Sequence, residues 1–256
     1  MSCTSPSSPI VTPTPNAKVI NQIPIQKNGC GPASLINAYR SASPKWSKAT
    51  EKIVGNTDKE QFDFMVKYYG KIFSRHAHAS QRWDARQGIN GLDLTDLAND
   101  FQSRRKLSLP KLKHTTHFIN AQSGYELLLE DTHKHLKKSL KAGFPAILSL
   151  KRFAQRGSRW RQVHGHFVTL YQIPSSIPYG AKSFEIKYID PWGGSIKTGS
   201  IKIPEKTFYA VDNSAKKLTF RKSPTLVVDF PESNLGKHLL KSNERSATIL
   251  AASITP

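Results

Sequence analysis

Apolar residues recur at helical spacing through the first half of the chain and alternate with polar ones through much of the second. The pattern predicts a helix from Cys30 to about Ala42. Ser43-Pro44 then offers a cap and first turn for another helix reaching Val54. Thr57-Asp58-Lys59-Glu60 has the form of a capping box leading into Phe62, Met65, Tyr68 and Tyr69. Residues 73–91 read as a polar loop, and apolar positions 92, 94, 97, 98 and 101 suit a helix from Leu92 to Phe101. A strand at Lys113–Ala121 and a helix at Tyr125–Lys141 follow, the latter closed by Gly143-Phe144-Pro145. Extended segments are then expected at Ala146–Lys151, Gln162–Gln172, Phe184–Asp190 and Ser195–Ile203. Beyond Pro204 the pattern weakens to a strand at Thr225–Phe230 and a polar tail with an apolar end, Ile249–Ile254, expected to complete the sheet or pack beneath it. Helices first and antiparallel strands afterwards predict an α+β architecture.

Three short segments carry candidate chemistry. In Gly29-Cys30-Gly31-Pro32-Ala33-Ser34 a cysteine stands between two glycines where a loop gives way to a helix. Helix-start amides favour a thiolate over a thiol, and small neighbours leave the sulfur open to approach. The second segment is Val163-His164-Gly165-His166-Phe167-Val168 and the third Tyr188-Ile189-Asp190-Pro191-Trp192-Gly193-Gly194. Acyl transfer from an amide needs a nucleophile, a positioned proton carrier and donors for the developing oxyanion. Cys30, a histidine and Asp190 supply the first two and an orienting carboxylate. Each residue also has a plain structural reading. Cys30 would be a small buried hydrophobe, the histidine a core residue, Asp190 an ordinary Asp-Pro turn, and Trp192 a pocket wall or a core aromatic. Strand alternation puts His164 and His166 on one face, so spacing does not choose between them.

The Cys-Gly-Pro-x-Ser helix start, the Gly-His-Phe-Val strand and the Asp-Pro-Trp-Gly-Gly turn, in this order, resemble papain-like cysteine peptidases of the bacteriocin-leader-processing, double-glycine type. The match spans about residues 19–203. The resemblance implies a papain-like α+β fold, with an N-terminal helical lobe carrying the cysteine and a C-terminal antiparallel sheet carrying histidine and aspartate. It implies Cys30 as nucleophile, His166 as acid and base, Asp190 as the group that orients the imidazole, and no cofactor. A glutamine upstream of the cysteine would complete the oxyanion site. The usual spacing lands on Pro24, whereas the glutamines here are Gln22 and Gln26, eight and four residues before Cys30; both are candidates.

Composition adds constraints. At 256 residues and 38% hydrophobic content the chain can bury one substantial core. A single catalytic domain over 17–256 with a C-terminal extension is expected, preceded by a Ser-, Thr- and Pro-rich tether over 1–16. No apolar run reaches the ~20 residues of a transmembrane helix. Ser2-Cys3 ahead of such a tether matches the start of a mature lipoprotein. That reading places the protein at the cell envelope through Cys3 and needs a leader upstream; otherwise the expected location is cytoplasmic. A Cys3–Cys30 disulfide would disable the nucleophile, so Cys30 is expected free.

The formal charge of +20 calls for an anionic partner or a solvated basic surface. The basic residues are scattered. Lys134, Lys137, Lys138 and Lys141 mark a solvated helix face, with Leu136 and Leu140 on the buried side. Arg152, Arg156, Arg159 and Arg161 fall in an expected loop before the His166 strand, where they would rim the site and suit an acidic peptide or an anionic polymer. No nucleic-acid recognition motif accompanies Trp83, Phe153 and Trp160, and no specific nucleic acid is expected. No metal is expected either: HExxH and paired CxxC motifs are missing, His133 and His135 would point apart on a helix, and His76 and His78 lie in a polar loop. The leading expectation is thiol-dependent hydrolysis of a peptide or amide bond. Its alternatives are acyl or peptidyl transfer on the same scaffold, and a catalytically inactive module binding anionic polymers.

Overall fold

The computed structural model describes residues 8–77, 80–118, 124–211 and 222–256. Strand β1 (Ile10–Val11) precedes helices α1 (Cys30–Ser41), α2 (Pro44–Ser47) and α3 (Asp58–Met65). The short hairpin β2 (Trp83–Asp84) and β3 (Gly88–Ile89) leads into α4 (Gly91–Arg104), β4 (Lys113–Thr116) and α5 (Tyr125–Lys141). The strands β5 (Ile147–Arg156), β6 (Arg159–Ile173), β7 (Ser183–Asp190), β8 (Ser195–Lys202), β9 (Tyr209–Val211), β10 (Lys222–Pro224), β11 (Val227–Asp229) and β12 (Ser246–Thr255) complete the chain. No helix among the described residues is long and apolar enough to cross a membrane.

The expected papain-like division into a helical lobe and a separate antiparallel sheet is not what the chain forms. Six strands close into an antiparallel barrel: β6, β5, β12, β11, β8 and β7 pair in that order, and β7 pairs back onto β6. With β1 and β4 added, the main sheet has eight strands. Two features close the ring. The C-terminal segment, whose sequence reads as a tail with an apolar end, is β12, which runs along the length of β5 and also pairs with β11. A bulge between Leu170 and Gln172 turns β6 so that its end meets β7. All six strands contribute to one apolar cluster, among them Leu150, Leu170, Tyr188, Ile201, Val228 and Leu250. That is the barrel interior. The opposite faces of β5, β6 and β12 present Ile147, Phe167 and Ile254 to Leu35, Ile36, Met65 and Leu97 of the helices, so the helices coat the barrel instead of forming a lobe of their own.

Local chemistry explains the helices. Nearly every residue of α1 is buried, and its polar members Ser34 and Asn37 are hydrogen-bonded to backbone, as a helix at the centre of a packed layer requires. Ser43-Pro44 starts α2 as predicted, but the helix stops at Ser47 and a 3-10 turn at Thr50–Lys52 replaces its continuation to Val54. Thr57 and Glu60 do form a capping box on α3: Glu60 N donates to Thr57 Oγ1 at 3.2 Å, and Thr57 N to Glu60 Oε2 at 3.1 Å. Gly143, at φ +84°, ends α5 in the left-handed conformation that glycine adopts without strain. On α5, Leu136 and Leu140 are buried while Lys134, Lys138 and Lys141 are exposed.

Part of the segment expected as a tether lies on the barrel. Ile10 and Val11 pair with Ile173 and Gln172 of β6, and Thr14 Oγ1 donates to Ala42 O at 2.9 Å. Cys3, His78 and the Lys216-Lys217 pair fall outside the described residues. The expected loop over Arg152–Arg161 is instead a hairpin, in which β5 and β6 pair out to Arg156 and Arg159. Its outer half is rich in Arg and Gln, and its apolar residues Phe153 and Trp160 pack against Phe208 in a small cluster of their own.

Candidate active site

Helix α1 and strand β6 are locked together at the residues that matter. Ser34, one turn beyond Cys30, donates its hydroxyl to Phe167 O at 2.9 Å, and its own carbonyl accepts from Thr169 Oγ1 at 2.8 Å. Both bonds are buried, which fixes the start of α1 against the strand position next to His166. Along β6 the inward row runs Leu170, Val168, His166; along β7 it runs Ile186, Tyr188, Asp190. His166 and Asp190 therefore continue the barrel's inward faces to its rim, where Cys30 meets them.

His166 Nε2 lies 2.8 Å from Asp190 Oδ1, with both side chains buried. The Cys30 side chain neighbours the His166 ring, whose Nε2 is engaged by Asp190. Burial alone pushes the imidazole towards its neutral form. The hydrogen bond to Asp190 and the neighbouring Cys30 outweigh burial and raise the pKa from its ordinary 6.5 to about 9. For Asp190, burial favours the neutral acid, but hydrogen bonds and charge from His166, then Lys197 and Ser233, hold the carboxyl well below the usual carboxylate range. Four donors converge on it. Besides His166, Trp192 N donates to Oδ1 at 2.9 Å, while Lys197 Nζ at 2.9 Å and Ser233 Oγ at 2.7 Å donate to Oδ2. Tyr188 Oη bonds Ser233 Oγ at 2.8 Å and extends the network.

His164 stacks on His166 at 6.2 Å between ring centroids and faces the same cleft. Burial, followed by the neighbouring His166, His238 and Arg152, lowers its pKa to about 4, so its ring is neutral at neutral pH. The hydrogen bond to Asp190 belongs to His166, as does the neighbouring Cys30. This is a distinction that alternation along the strand could not make.

Gln22 and Gln26 part company. Residues 22–29 fold compactly, with Gln26 N donating to Gln22 O at 2.8 Å and Gly29 N to Gln26 O at 2.9 Å, so Gln22 is brought back to the cleft that Cys30 lines despite its eight-residue separation. Its backbone N donates to Pro191 O at 2.8 Å, and Asn21 Oδ1 accepts from Gly193 N at 3.2 Å. The turn that carries Asp190 thus also seats Gln22. The close approach requires Gly194: at φ +63°, an added Cβ would lie 2.9 Å from Asn21 Cβ. Gln22 Nε2 donates one hydrogen to Lys27 O at 2.7 Å, which fixes the orientation of the amide. The second hydrogen of this nitrogen remains. Gln26 does not line the cleft.

The cleft encloses about 1130 Å³. Cys30, Gln22, His166 and Trp192 line one part of it, and the β2–β3 hairpin forms the opposite lip, tied down by Asn28 Nδ2 donating to Ala85 O and Arg86 O, each at 2.9 Å. Arg152, Arg156, Arg159 and Arg161 do not line it; Arg156 Nε pairs with Glu244 at 2.9 Å and Arg152 bonds Leu235 O and Ser246 Oγ. The expected cationic rim therefore does not border the site. Among the described residues, His76, Asp93 and Asp96 have metal-ligand spacing. Their charges are already met: Ser74 Oγ and Asn90 Nδ2 donate to Asp93, while His76 and Arg82 face Asp96. His133 and His135 lie on α5 apart from the cleft, bonded to Pro174 O and Thr255 Oγ1.

Sequence reading missed Lys197, Ser233 and Asn28. Lys197 carried a signal, because it shares the alternating face of β8 with the buried Gly199 and Ile201, an inward position where a lysine needs a partner. Ser233 carried none, lying 43 residues from Asp190 in a loop. Neither a scan against protein-family models nor a search of curated proteins finds a match to this chain.

Proposed function

We infer that the protein is a thiol-dependent hydrolase of peptide or amide bonds. The observation that carries this reading is the buried His166–Asp190 pair with Cys30 beside the imidazole, opening on a cleft. Cys30 attacks the carbonyl as thiolate. The carbonyl oxygen becomes an oxyanion received by the Cys30 backbone N–H and the free hydrogen of Gln22 Nε2. His166 then gives its proton to the departing amine, leaving a thioester. Water attacks the thioester while passing a proton to the now neutral His166, and the tetrahedral intermediate collapses by breaking the C–S bond, which releases the acid and restores the Cys30 thiolate beside the imidazolium. Asp190 keeps one tautomer and orientation throughout. The resemblance to papain-like peptidases of the double-glycine type supports the reading at the level of the three motifs and their order, not of the fold. Transfer to an amine instead of water would use the same first half-reaction.

The direct test is alkylation of Cys30 by iodoacetamide in a Cys3→Ser background. Reaction at about pH 6, where an ordinary thiol is almost wholly protonated, should be at least tenfold faster than for free cysteine and should fall to the ordinary rate in His166→Ala. An inert thiol in folded protein would favour a binding module instead.

Gln22→Ala should lower turnover on the order of 10²- to 10³-fold with little change in KM, because the lost hydrogen bond matters most in the transition state. Gln26→Ala should stay within about threefold. Kinetics of both variants on one fluorogenic peptide amide check this, and equal losses would remove the assignment to Gln22.

A further inference from the structure

We propose that Lys197 and Ser233 are positioning residues that hold Asp190 from the side opposite His166 and divide its charge, so that His166 releases its proton at lower pH than it would beside an unshared carboxylate. This role rests on the reading of Cys30, His166 and Asp190 as a reacting set. Asp190 Oδ1 receives His166 Nε2 at 2.8 Å, and Oδ2 receives Lys197 Nζ at 2.9 Å and Ser233 Oγ at 2.7 Å. One buried carboxylate thus serves two cations. Lys197 is itself largely enclosed, its side chain 13% exposed, and its ammonium also reaches Trp192 O at 3.4 Å. Such a pair is screened far less by solvent than a surface ion pair.

The surroundings contain no other acid that would replace Asp190 in this role among the described residues. Facing Asp190 are His166 from β6, Lys197 from β8, Ser233 after β11 and Tyr188 on its own strand; Glu232, beside Ser233, accepts from Thr198 N at 3.2 Å. Facing His166 are Cys30 and His164, with Arg152 and His238 behind His164. Arg152 and His238 act through a neutral ring, whereas Lys197 acts on the very carboxylate that fixes the imidazole. A protease that needs its histidine first as a donor and then as a base gains from this arrangement. A carboxylate left wholly to the imidazolium would hold the proton too firmly for the second step.

The experiment is a nitrogen-15 NMR titration of the His166 ring in the full chain, with Cys30 alkylation followed over the same pH range. In Lys197→Met the His166 midpoint should move up by on the order of one pH unit, and the alkaline limb of alkylation should move with it. Lys197→Arg should restore the wild-type midpoint, and Lys202→Met, which removes a surface partner of Asp229 on the same strand, should leave it unchanged. Ser233→Ala should shift it in the same direction by less. An unmoved midpoint in folded Lys197→Met, or in folded Ser233→Ala should the lysine variant not fold, overturns the proposal. A midpoint that moves while Cys30 reacts as an ordinary thiol would sustain the charge sharing and sink the catalytic reading instead.

Discussion

Replacing Cys30 by alanine should abolish the proposed turnover of peptide or amide substrates and leave the fold in place. The loss should be on the order of 10⁴-fold or more, because the covalent route has no substitute once the sulfur is gone, and only positioning and the oxyanion donors still act. The fold should hardly notice. Cys30 is half-buried at the first position of α1, alanine is the best helix former, and the anchoring bonds of Ser34 are untouched. A stability change under about 1 kcal/mol is expected. The check pairs turnover of a fluorogenic peptide amide with urea denaturation. Residual turnover above about one per cent in a folded Cys30→Ala protein would show that the chemistry does not pass through this sulfur.

Asp190→Ala should be strongly destabilising, costing about 3–5 kcal/mol. Removing one member of a buried ion pair leaves its partners uncompensated, and here Lys197, Ser233 and the Trp192 amide all lose their acceptor along with His166. Asp190→Asn keeps an acceptor without the charge and should fall between the two. The cost depends on pH in a way that identifies its source. His166 has a folded pKa raised from 6.5 to about 9, so its share of the stability is fully present below 6.5 and is lost as pH rises through 9. Asp190 is displaced in the opposite direction from its ordinary 3.8, so its share is present above that value and is lost on acidification. The gap between wild type and Asp190→Ala should thus be widest between about pH 4 and 6.5 and should narrow as pH rises towards 9. Urea midpoints across this range measure it. A gap that stays constant from pH 6.5 to 9 would mean that His166 is not held as a cation.

The acid side of the wild-type curve has further contributors beside Asp190. His117, buried between Ser253 and Thr132, is lowered to about 3 and His164 to about 4, in each case first by burial, so both must gain protons when the chain unfolds in acid. These terms are common to wild type and Asp190→Ala to the extent that the alanine leaves them in place, which is why the difference between the two proteins is the informative quantity.

Much of the local structure is legible in the chain because it depends on neighbours in sequence. The capping box at Thr57 and Glu60, the start of α2 at Ser43-Pro44 and the glycine end of α5 each use groups within a few residues of one another. The central strands around Val168 and Tyr188 are legible for the same reason, since burial leaves its apolar pattern along each of them. The β5–β6 hairpin was not, because the few apolar residues of its outer half, Phe153 and Trp160, find their cover in Phe208, far along the chain. The closure of the barrel was not either. It depends on β12 finding a place between β5 and β11, and a strand of three residues such as β11 has too little pattern to announce a partner.

For the site, the sequence by itself determined which residue types stand ready: a cysteine between glycines at a helix start, two histidines on one strand face, an aspartate at a strand end, and two upstream glutamines. Only the tertiary structure decided among them. It set His166 rather than His164 between Cys30 and Asp190, folded Gln22 rather than Gln26 into the cleft, and brought Lys197 and Ser233 to the carboxylate. The physical reason is that hydrogen bonds and ion pairs act over about 3 Å, whereas the groups they join here lie up to 172 residues apart in the chain and meet only once the barrel has closed.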